Sequence, residues 1–174
     1  AGKSTLLRAI THLLPADGSV RIGGQHPSSE AGRAAFAFVP DEPALYEDLT
    51  LREHARFTAL LYGQPEAEVA ALRWLESFRL LDRVDEFPVA HSRGMRQKLS
   101  LAIALGLDLP LLILDEPYNG LDFDAQEVLS NALERKADDG QAVLLTGHQP
   151  GLARRLDARE LTLEEGRLVE AGVT

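Results

Sequence analysis

The 174-residue chain contains no cysteine, and this absence sets the first limits on its chemistry. Disulfide bonds and thiolate metal sites are excluded, and a chain that needs neither suits a reducing compartment. No run of five or more basic residues occurs and the formal net charge is −9, which argues against nucleic acid as the main partner. No apolar stretch approaches the ~18 residues of a membrane-spanning helix, so we expect none of these residues to cross a membrane.

Hydrophobic residues make up 45% of the chain, enough for a core of ordinary size. Three short apolar runs each end in polar residues, as buried strands of a parallel sheet do when ligands bind beyond their carboxyl ends. These runs and the residues after them are Ala34 to Val39 before Pro40-Asp41, Leu111 to Leu114 before Asp115-Glu116, and Ala142 to Leu145 before Thr146-Gly147-His148.

Helical patterns fill the intervals between the runs, and together they predict an α/β fold. We expect five helices: 3–14, one that begins at a capping box at 50, 66–78, one that begins at 92, and 122–136. We also expect a hairpin that pairs 160–163 with 167–170. The stretch 50–107 has no strand pattern and predicts a helical insertion. The side chains expected to face inward are Phe57, Leu60, Leu61, Val69, Leu72, Leu75, Met95, Leu99, Ala102, Ile103, Ala125, Val128, Leu129 and Ala132. His12, His26 and His54 are expected at the surface, and Trp74 is expected in the packing of the insertion.

Gly2-Lys3-Ser4-Thr5 is the second half of the phosphate-loop pattern G-x-x-x-x-G-K-[ST]. In that loop, backbone N–H groups and the Lys hold nucleotide phosphates, and the hydroxyl binds Mg²⁺. The four residues alone also fit a helix that starts with small residues. We expect the chain to begin inside the loop, without its first Gly and the strand before it.

Several polar residues after the apolar runs are candidates for phosphate chemistry, and each has a simpler interpretation. Asp115 can hold Mg²⁺ and Glu116 can take a proton from water, although a strand followed by an acidic turn has the same appearance. His148 can bind a phosphate or be solvated, and Asp41 can reach a metal or belong to a turn. Ser92 can bind a phosphate at a helix start or be an ordinary N-cap.

The order of these motifs resembles the ATP-binding domain of ABC transporters, a P-loop NTPase family. Gly2-Lys3-Ser4-Thr5 matches its Walker A motif and Asp41 stands at its Q-loop. The other matches are Ser92-Arg93-Gly94-Met95 for the signature, Asp115-Glu116 for Walker B, Asn119 to Asp122 for the D-loop and His148 for the switch histidine. Within the family, the chain most resembles bacterial exporter ATPase subunits of the Ecs type.

The resemblance implies an ATPase that uses ATP and Mg²⁺. Gly2, Lys3, Ser4 and Thr5 would bind the nucleotide, Ser4, Asp41 and Asp115 would lie at the metal, Glu116 would be the general base, and His148 would sense the γ-phosphate. In a head-to-tail homodimer, or with a paired ATPase subunit, Ser92, Arg93, Gly94 and Met95 would contact nucleotide across the interface, where Asp122 would also lie.

The resemblance also implies a domain organisation. Residues 1–49 and 108–174 would form a RecA-like ATP-binding core that lacks its N-terminal strands. Residues 50–107 would form a helical subdomain, ending in the signature helix, that docks a separate transmembrane permease. The protein would lie at the cytoplasmic face of the cell membrane, and no nucleic-acid partner is expected.

Four residues depart from the commonest family pattern. Asp41 replaces Gln, Arg93 replaces the first Gly of the signature, Met95 replaces its final Gln, and Gly147 replaces the Ser before the switch histidine. With half of the phosphate loop absent, we expect these residues alone to be impaired as an ATPase. Two alternatives stay open: a non-transport ABC ATPase acting on nucleic acid or ribosomes, and a truncated domain that only binds partners.

Overall fold

The computed structural model describes residues 2–170, and it contains seven α-helices and five β-strands within that range. The helices are α1 Lys3–Ile10, α2 Glu30–Arg33, α3 Leu51–Leu61, α4 Glu66–Ser77, α5 Arg93–Gly106, α6 Phe123–Asp138 and α7 Leu152–Arg155. The strands are β1 Phe36–Val39, β2 Leu111–Leu114, β3 Ala142–Leu145, β4 Leu161–Glu164 and β5 Arg167–Glu170. None of the helices in this part of the chain combines the length and apolar character needed to cross a bilayer.

The three predicted apolar runs form one parallel sheet with the order β1-β2-β3. Each connection between these strands includes helices, as parallel strands require. The first strand is shorter than predicted, because Ala34 still bonds to Glu30 O in the turn that ends α2. A separate antiparallel hairpin pairs β4 with β5, as predicted.

The central strand β2 is buried on both faces, because a core lies on each side of the sheet. Its alternate side chains, Leu112 and Leu114, point into the larger core, which also contains apolar residues of α3 to α6. Ile113 points into the smaller core, where Leu7 of α1 packs with Phe36. The helices therefore cover both sides of the sheet, as the sequence predicts.

Helix α1 is shorter than the predicted 3–14. Its last residue is Ile10, and the Thr11 hydroxyl donates to Leu7 O at 3.0 Å. His12 has a φ of 60°, in the left-handed region, so the helical path ends there. Its side chain is exposed, as is that of His26, as predicted.

The predicted inward faces of α3 and α4 are partly wrong. Small residues take the contacts: Ala55 and Ala59 are buried in α3, and Ala67 and Ala71 in α4, where Leu75 is also buried as predicted. The larger apolar side chains that we expected inside, Phe57, Leu60, Leu61 and Val69, are exposed.

Close helix packing explains this difference. A Cβ added at Gly106 of α5 would lie 2.8 Å from Ala71 N and 2.9 Å from Ala67 O, so α4 and α5 pack almost backbone to backbone. Only small side chains fit between helices at such a distance. Trp74 of α4 packs against the larger core, as predicted.

His54 is buried, although we expected it at the surface. Its Nε2 accepts the backbone N–H of Tyr46 at 3.0 Å, and its Nδ1 lies 2.8 Å from Thr50 O. With both ring nitrogens bonded, the imidazole is buried at little cost. The predicted capping box between Thr50 and Glu53 is present at the start of α3.

Two helix starts follow the sequence signals. The Ser92 hydroxyl accepts the N–H of Met95 at the start of α5, and an Asp122 carboxylate oxygen accepts the N–H of Ala125 at the start of α6. Helix α6 runs two residues beyond the predicted end, and Gly140 follows with a φ of 87°. The stretch 50–107 contains helices and turns and no strand.

Candidate functional site

Several of the predicted functional residues meet at the carboxyl edge of the three-stranded sheet. The last residues of the strands, Val39, Leu114 and Leu145, are paired in register. The main chain continues this pairing one residue further, since Asp115 N donates to Val39 O at 2.8 Å and Thr146 N donates to Leu114 O at 2.9 Å. The side chains that follow the strands are therefore brought together at this edge.

A cluster of three charged or titratable side chains lies at this edge: Lys3, Glu116 and His148. Lys3 Nζ is 2.6 Å from Glu116 Oε1 and donates to Gly147 O at 2.9 Å. The other carboxylate oxygen of Glu116 is 3.0 Å from His148 Nδ1. Because Lys3 begins α1, the helix N-terminus lies beside the acidic loop after β2.

Glu116 is held as a carboxylate. Burial raises the pKa of Glu116, but the hydrogen bonds and charges of Lys3 and His148 oppose burial more strongly, so its pKa lies below the ordinary value. Its φ of 48° is in the left-handed region, which is uncommon for a residue with a side chain. Such backbone strain persists where the surroundings over-determine it, and functional sites are enriched in it.

Thr146 fixes the two acidic residues, a role that sequence reasoning missed. Its hydroxyl donates to Asp115 Oδ1 at 2.7 Å and accepts Glu116 N–H at 2.9 Å. Asp115 is only 1% exposed, so this hydrogen bond satisfies a buried carboxylate oxygen. The signal was available, because extending the parallel register by one residue places Thr146 beside Asp115.

We expect Thr146→Val to destabilise the fold by about 1–3 kcal/mol, since Asp115 and the Glu116 N–H lose a shared buried partner. Urea unfolding should show a lower midpoint at an unchanged slope. Thr146→Ser keeps the hydroxyl and should recover most of the loss. A valine variant as stable as the wild type would contradict the bridging role.

Two residues at this edge carry the oxygen groups that Mg²⁺ prefers as ligands. Ser4 is partly buried in the first turn of α1, and Asp115 supplies carboxylate oxygen. Within residues 2–170, no group of three or more His, Cys, Asp or Glu side chains could hold a metal. Mg²⁺ commonly needs no such cage, because it binds one or two protein ligands, water and substrate phosphates.

Asp41 lies in a second group, at the start of α5. One carboxylate oxygen, Oδ1, accepts from Arg93 Nη2 at 3.0 Å and from Asn119 Nδ2 at 3.0 Å. Sequence reasoning treated Asp41 and Arg93 as separate departures and gave Asn119 no role. The structure shows that the three side chains are bonded to one another.

The other signature residues are placed by the packing of α5. Ser92 caps the helix, and Met95 is partly buried against the larger core. A Cβ on Gly94 would lie 2.4 Å from Gly120 O, so only glycine fits there without movement of the backbone. The start of α5 is thus packed against the loop after β2.

Asp122 has two partners within the chain. It caps α6 through Oδ1, and its Oδ2 is 2.5 Å from Lys98 Nζ. The Lys98 hydrogen bond, followed by the Ala125 N–H, lowers the pKa of Asp122. Its side chain is still 59% exposed, which leaves it accessible to a second subunit.

Comparison with known proteins agrees with this architecture. Residues 1–119 match the family model described as ABC transporter. The chain belongs to the ABC transporter family. It is an ATP-binding domain of that family, and the predicted P-loop NTPase fold, α/β with a parallel sheet covered by helices, is confirmed.

Two ABC transporter relatives come from Bacillus subtilis (strain 168). The chain is 34% identical over 177 residues to the ABC-type transporter ATP-binding protein EcsA, covering 99% of this chain and 72% of that protein. It is 32% identical over 173 residues to the SkfA peptide export ATP-binding protein SkfE, covering 98% of this chain and 72% of that one. The predicted resemblance to Ecs-type subunits is confirmed.

A solved ABC ATPase structure has the same fold. The dimeric structure of a post-hydrolysis state of the ATP-binding cassette MJ0796, bound to ADP and Pi, superposes with a TM-score of 0.83. The match is 23% identical and covers 97% of this chain and 80% of that one. At this identity the likeness shows the fold.

Proposed function

We propose that this ABC transporter domain binds MgATP at the carboxyl edge of its sheet and hydrolyses it, with Glu116 as the general base. The observation that carries the proposal is the contact of Lys3, an ionised Glu116 and His148 at that edge. A cation at a helix N-terminus favours phosphate, and a carboxylate beside it can accept a proton.

Nucleotide binding requires Lys3 to change partners. In this structure its ammonium is held by Glu116 and Gly147 O. Phosphate oxygens would replace these two acceptors, while the first N–H groups of α1, around Gly2 to Thr5, face the same anion. Binding would thus release Glu116 from its cation at the moment when the carboxylate is needed.

Hydrolysis then needs one proton acceptor and one phosphate contact. A water oxygen attacks the γ-phosphorus, the bond to the ADP oxygen breaks, and the water proton passes to Glu116. His148, whose Nδ1 lies 3.0 Å from the Glu116 carboxylate, would donate a hydrogen bond to the γ-phosphate. The products are ADP and inorganic phosphate.

Ser4 and Asp115 are the residues that we propose for the Mg²⁺ site. The ion would neutralise charge on the phosphates. Thr146 orients Asp115 through its hydrogen bond to Oδ1, which is the kind of support that metal-ligating carboxylates commonly have. Asp41 was also expected at the metal, but its Oδ1 already binds Arg93 and Asn119, so we assign it another role below.

Lys3→Ala tests the nucleotide site. We expect calorimetry on the complete protein to show about 10- to 100-fold weaker MgATP binding, because the variant loses one or two charge-assisted hydrogen bonds to phosphate. Lys136→Ala is the matched control, because Lys136 also donates to a carbonyl at 2.9 Å, that of Leu107. An unchanged affinity in Lys3→Ala would contradict this nucleotide site.

We further propose a head-to-tail dimer, either with a second copy or with a paired ATPase subunit. Ser92, Gly94 and Met95 would contact nucleotide held by the other subunit, and the exposed side chain of Asp122 would lie at the interface. Arg93 was also expected on that nucleotide, but its guanidinium binds Asp41 within the chain, so we assign it a positioning role instead. The dimeric state of the related cassette supports this assembly. The start of α5 offers a capped helix N-terminus, a suitable partner for an anion.

The partner through which ATP drives transport is proposed to be a separate membrane permease. Residues 50–107 would be the helical subdomain that docks it, while 1–49 and 108–174 form the ATP-binding core. Three exposed apolar side chains of this subdomain support docking there: Phe57, Leu60 and Leu61 are between 42% and 69% exposed. Tyr46, which lies just before the subdomain, is 56% exposed. Tyr46 and Phe57 also stack edge to face, with ring centroids 5.4 Å apart.

The direction of transport is proposed to be export, which the name of the peptide-export relative supports. The domain would then work on the cytoplasmic face of the membrane, where ATP is present. A polypeptide limited to residues 1–174 is expected to hydrolyse ATP poorly, because Gly2-Lys3-Ser4-Thr5 supplies only the second half of a phosphate loop.

A further inference from the structure

Three residues from distant parts of the sequence are bonded at the start of α5. Asp41 follows β1, Asn119 follows β2, and Arg93 is the first residue of α5. Asp41 Oδ1 accepts from Arg93 and from Asn119, each at 3.0 Å. The residues at 41 and 93, which both depart from the commonest family pattern, therefore form a complementary charge pair.

The same face of α5 holds the loop after β2 at three more points. Gly94 lies against Gly120 O, Gln97 Nε2 is 3.5 Å from Pro117 O, and Lys98 pairs with Asp122. The α5 residues at 93, 94, 97 and 98 form two neighbouring i, i+4 pairs on that face. Residues 117–122 are thus docked along the first two turns of α5.

The bonded group connects to Glu116 through the backbone. Asn119 N donates to Glu116 O at 3.0 Å, which closes the turn that begins at Glu116. The left-handed φ of Glu116 needs surrounding contacts to maintain it. Anchoring of the Asn119 side chain by Asp41, and of Asp41 by Arg93, supplies such contacts.

We propose that Arg93 is a positioning residue for Glu116, acting through Asp41 and Asn119. The inference rests on the proposed role of Glu116 as the base. An exposed ion pair such as Arg93–Asp41 contributes little to overall stability. We therefore expect its loss to shift the position of the Glu116 side chain and not to unfold the protein. A misplacement of about 1 Å can cost ~10²-fold in rate, and we expect a smaller, roughly tenfold effect here.

A double-mutant cycle in the complete protein tests this chain of contacts. Arg93→Ala and Asp41→Ala should each lower kcat by roughly tenfold and leave the KM for ATP unchanged, and the double variant should be no slower than the slower single one. Arg93→Lys should retain most of the activity. Arg52→Ala is the matched control, since Arg52 and Asp85 form another exposed ion pair of 3.0 Å.

Additive effects in the cycle would overturn the proposal, because Arg93 would then not act through Asp41. A raised KM with an unchanged kcat in Arg93→Ala would also overturn it, by placing Arg93 on the nucleotide.

Hydrogen exchange without nucleotide gives a readout that is independent of catalysis. The amides of Asn119 and Leu121, which bond to Glu116 O and Tyr118 O, should exchange faster in Arg93→Ala and Asp41→Ala and not in Arg52→Ala. Unchanged exchange would overturn the proposal. Faster exchange with an unchanged kcat would remove the catalytic role. If kcat were unchanged in Arg93→Ala and Glu116→Gln kept wild-type turnover as well, the proposed role of Glu116 as the base would be wrong, and the positioning of Glu116 by Arg93 would not be the cause of the unchanged rate.

Discussion

Glu116→Gln is expected to lower MgATP turnover by about 10²–10⁴-fold, the usual contribution of a general base. Glutamine has nearly the same shape as glutamate but accepts no proton from water. Glu116 is suited to the role because a carboxyl group is ionised at neutral pH. Lys3 and His148 lower its pKa in this structure, and the departure of Lys3 to the phosphates would remove one of these two causes and make the carboxylate a better base.

The same substitution should leave ATP binding intact or strengthen it. Lys3 pairs with Glu116 in this structure, and glutamine gives it a weaker partner to leave. The two side chains are 35% and 15% exposed, so the pair is solvent-screened and contributes ~0.2–1 kcal/mol. Losing it would tighten ATP binding by at most roughly fivefold.

Phosphate release and calorimetry on the complete protein measure both effects. Glu127→Gln is the matched control, because Glu127 forms another glutamate ion pair, with Arg155 at 2.7 Å. Steady-state hydrolysis at the wild-type rate in Glu116→Gln would show that another group takes the proton.

Ser92→Arg is expected to abolish ATP-induced dimerisation while MgATP still binds at Lys3. The proposed dimer places Ser92 against nucleotide in the other subunit, where an arginine side chain has no room. Light scattering with MgATP, on a Glu116→Gln background that prevents turnover, measures the dimer directly.

Ser92→Ala separates this effect from loss of the helix cap. Ser92 accepts the Met95 N–H, so both variants lose a cap whose removal typically costs ~0.5–2 kcal/mol of stability. Only arginine adds bulk at the interface. Equal dimerisation by Ser92→Arg and the wild type would leave Ser92 as a plain helix cap.

The sheet and its functional edge could be predicted from the sequence because their causes are local. A strand buried on both faces needs a continuous apolar run, such as Leu111 to Leu114, and its polar continuation fixes where the ligand edge lies. Helix starts at Ser92 and Asp122 depend on a side chain that bonds to a backbone N–H three residues later.

The helix faces could not be predicted in the same way. Phe57 and Val69 satisfy an amphipathic pattern, yet alanines face the core because Gly106 brings α5 within backbone contact of α4. This distance is a property of the packed helices, and no single helix sequence contains it. His54 is buried for a related reason, a hydrogen bond from Tyr46 in the preceding loop.

The supporting contacts of the site were missed because they join residues far apart in sequence. Arg93 and Asp41 are 52 residues apart, and Thr146 and Asp115 are 31 apart. The local sequence around each residue alone predicts only a helix start, a turn or a strand end. Only the register of the sheet and the position of α5 bring them together.

The most direct test of the account is an experimental structure of the complete Glu116→Gln protein with MgATP. The account predicts nucleotide at the carboxyl edge of the sheet, with Lys3 Nζ on its phosphates instead of on residue 116 and Gly147 O. A water should lie between the side chain of residue 116 and the γ-phosphate. Nucleotide bound at another surface, or a Lys3 side chain that stays on residue 116 beside bound ATP, would contradict it.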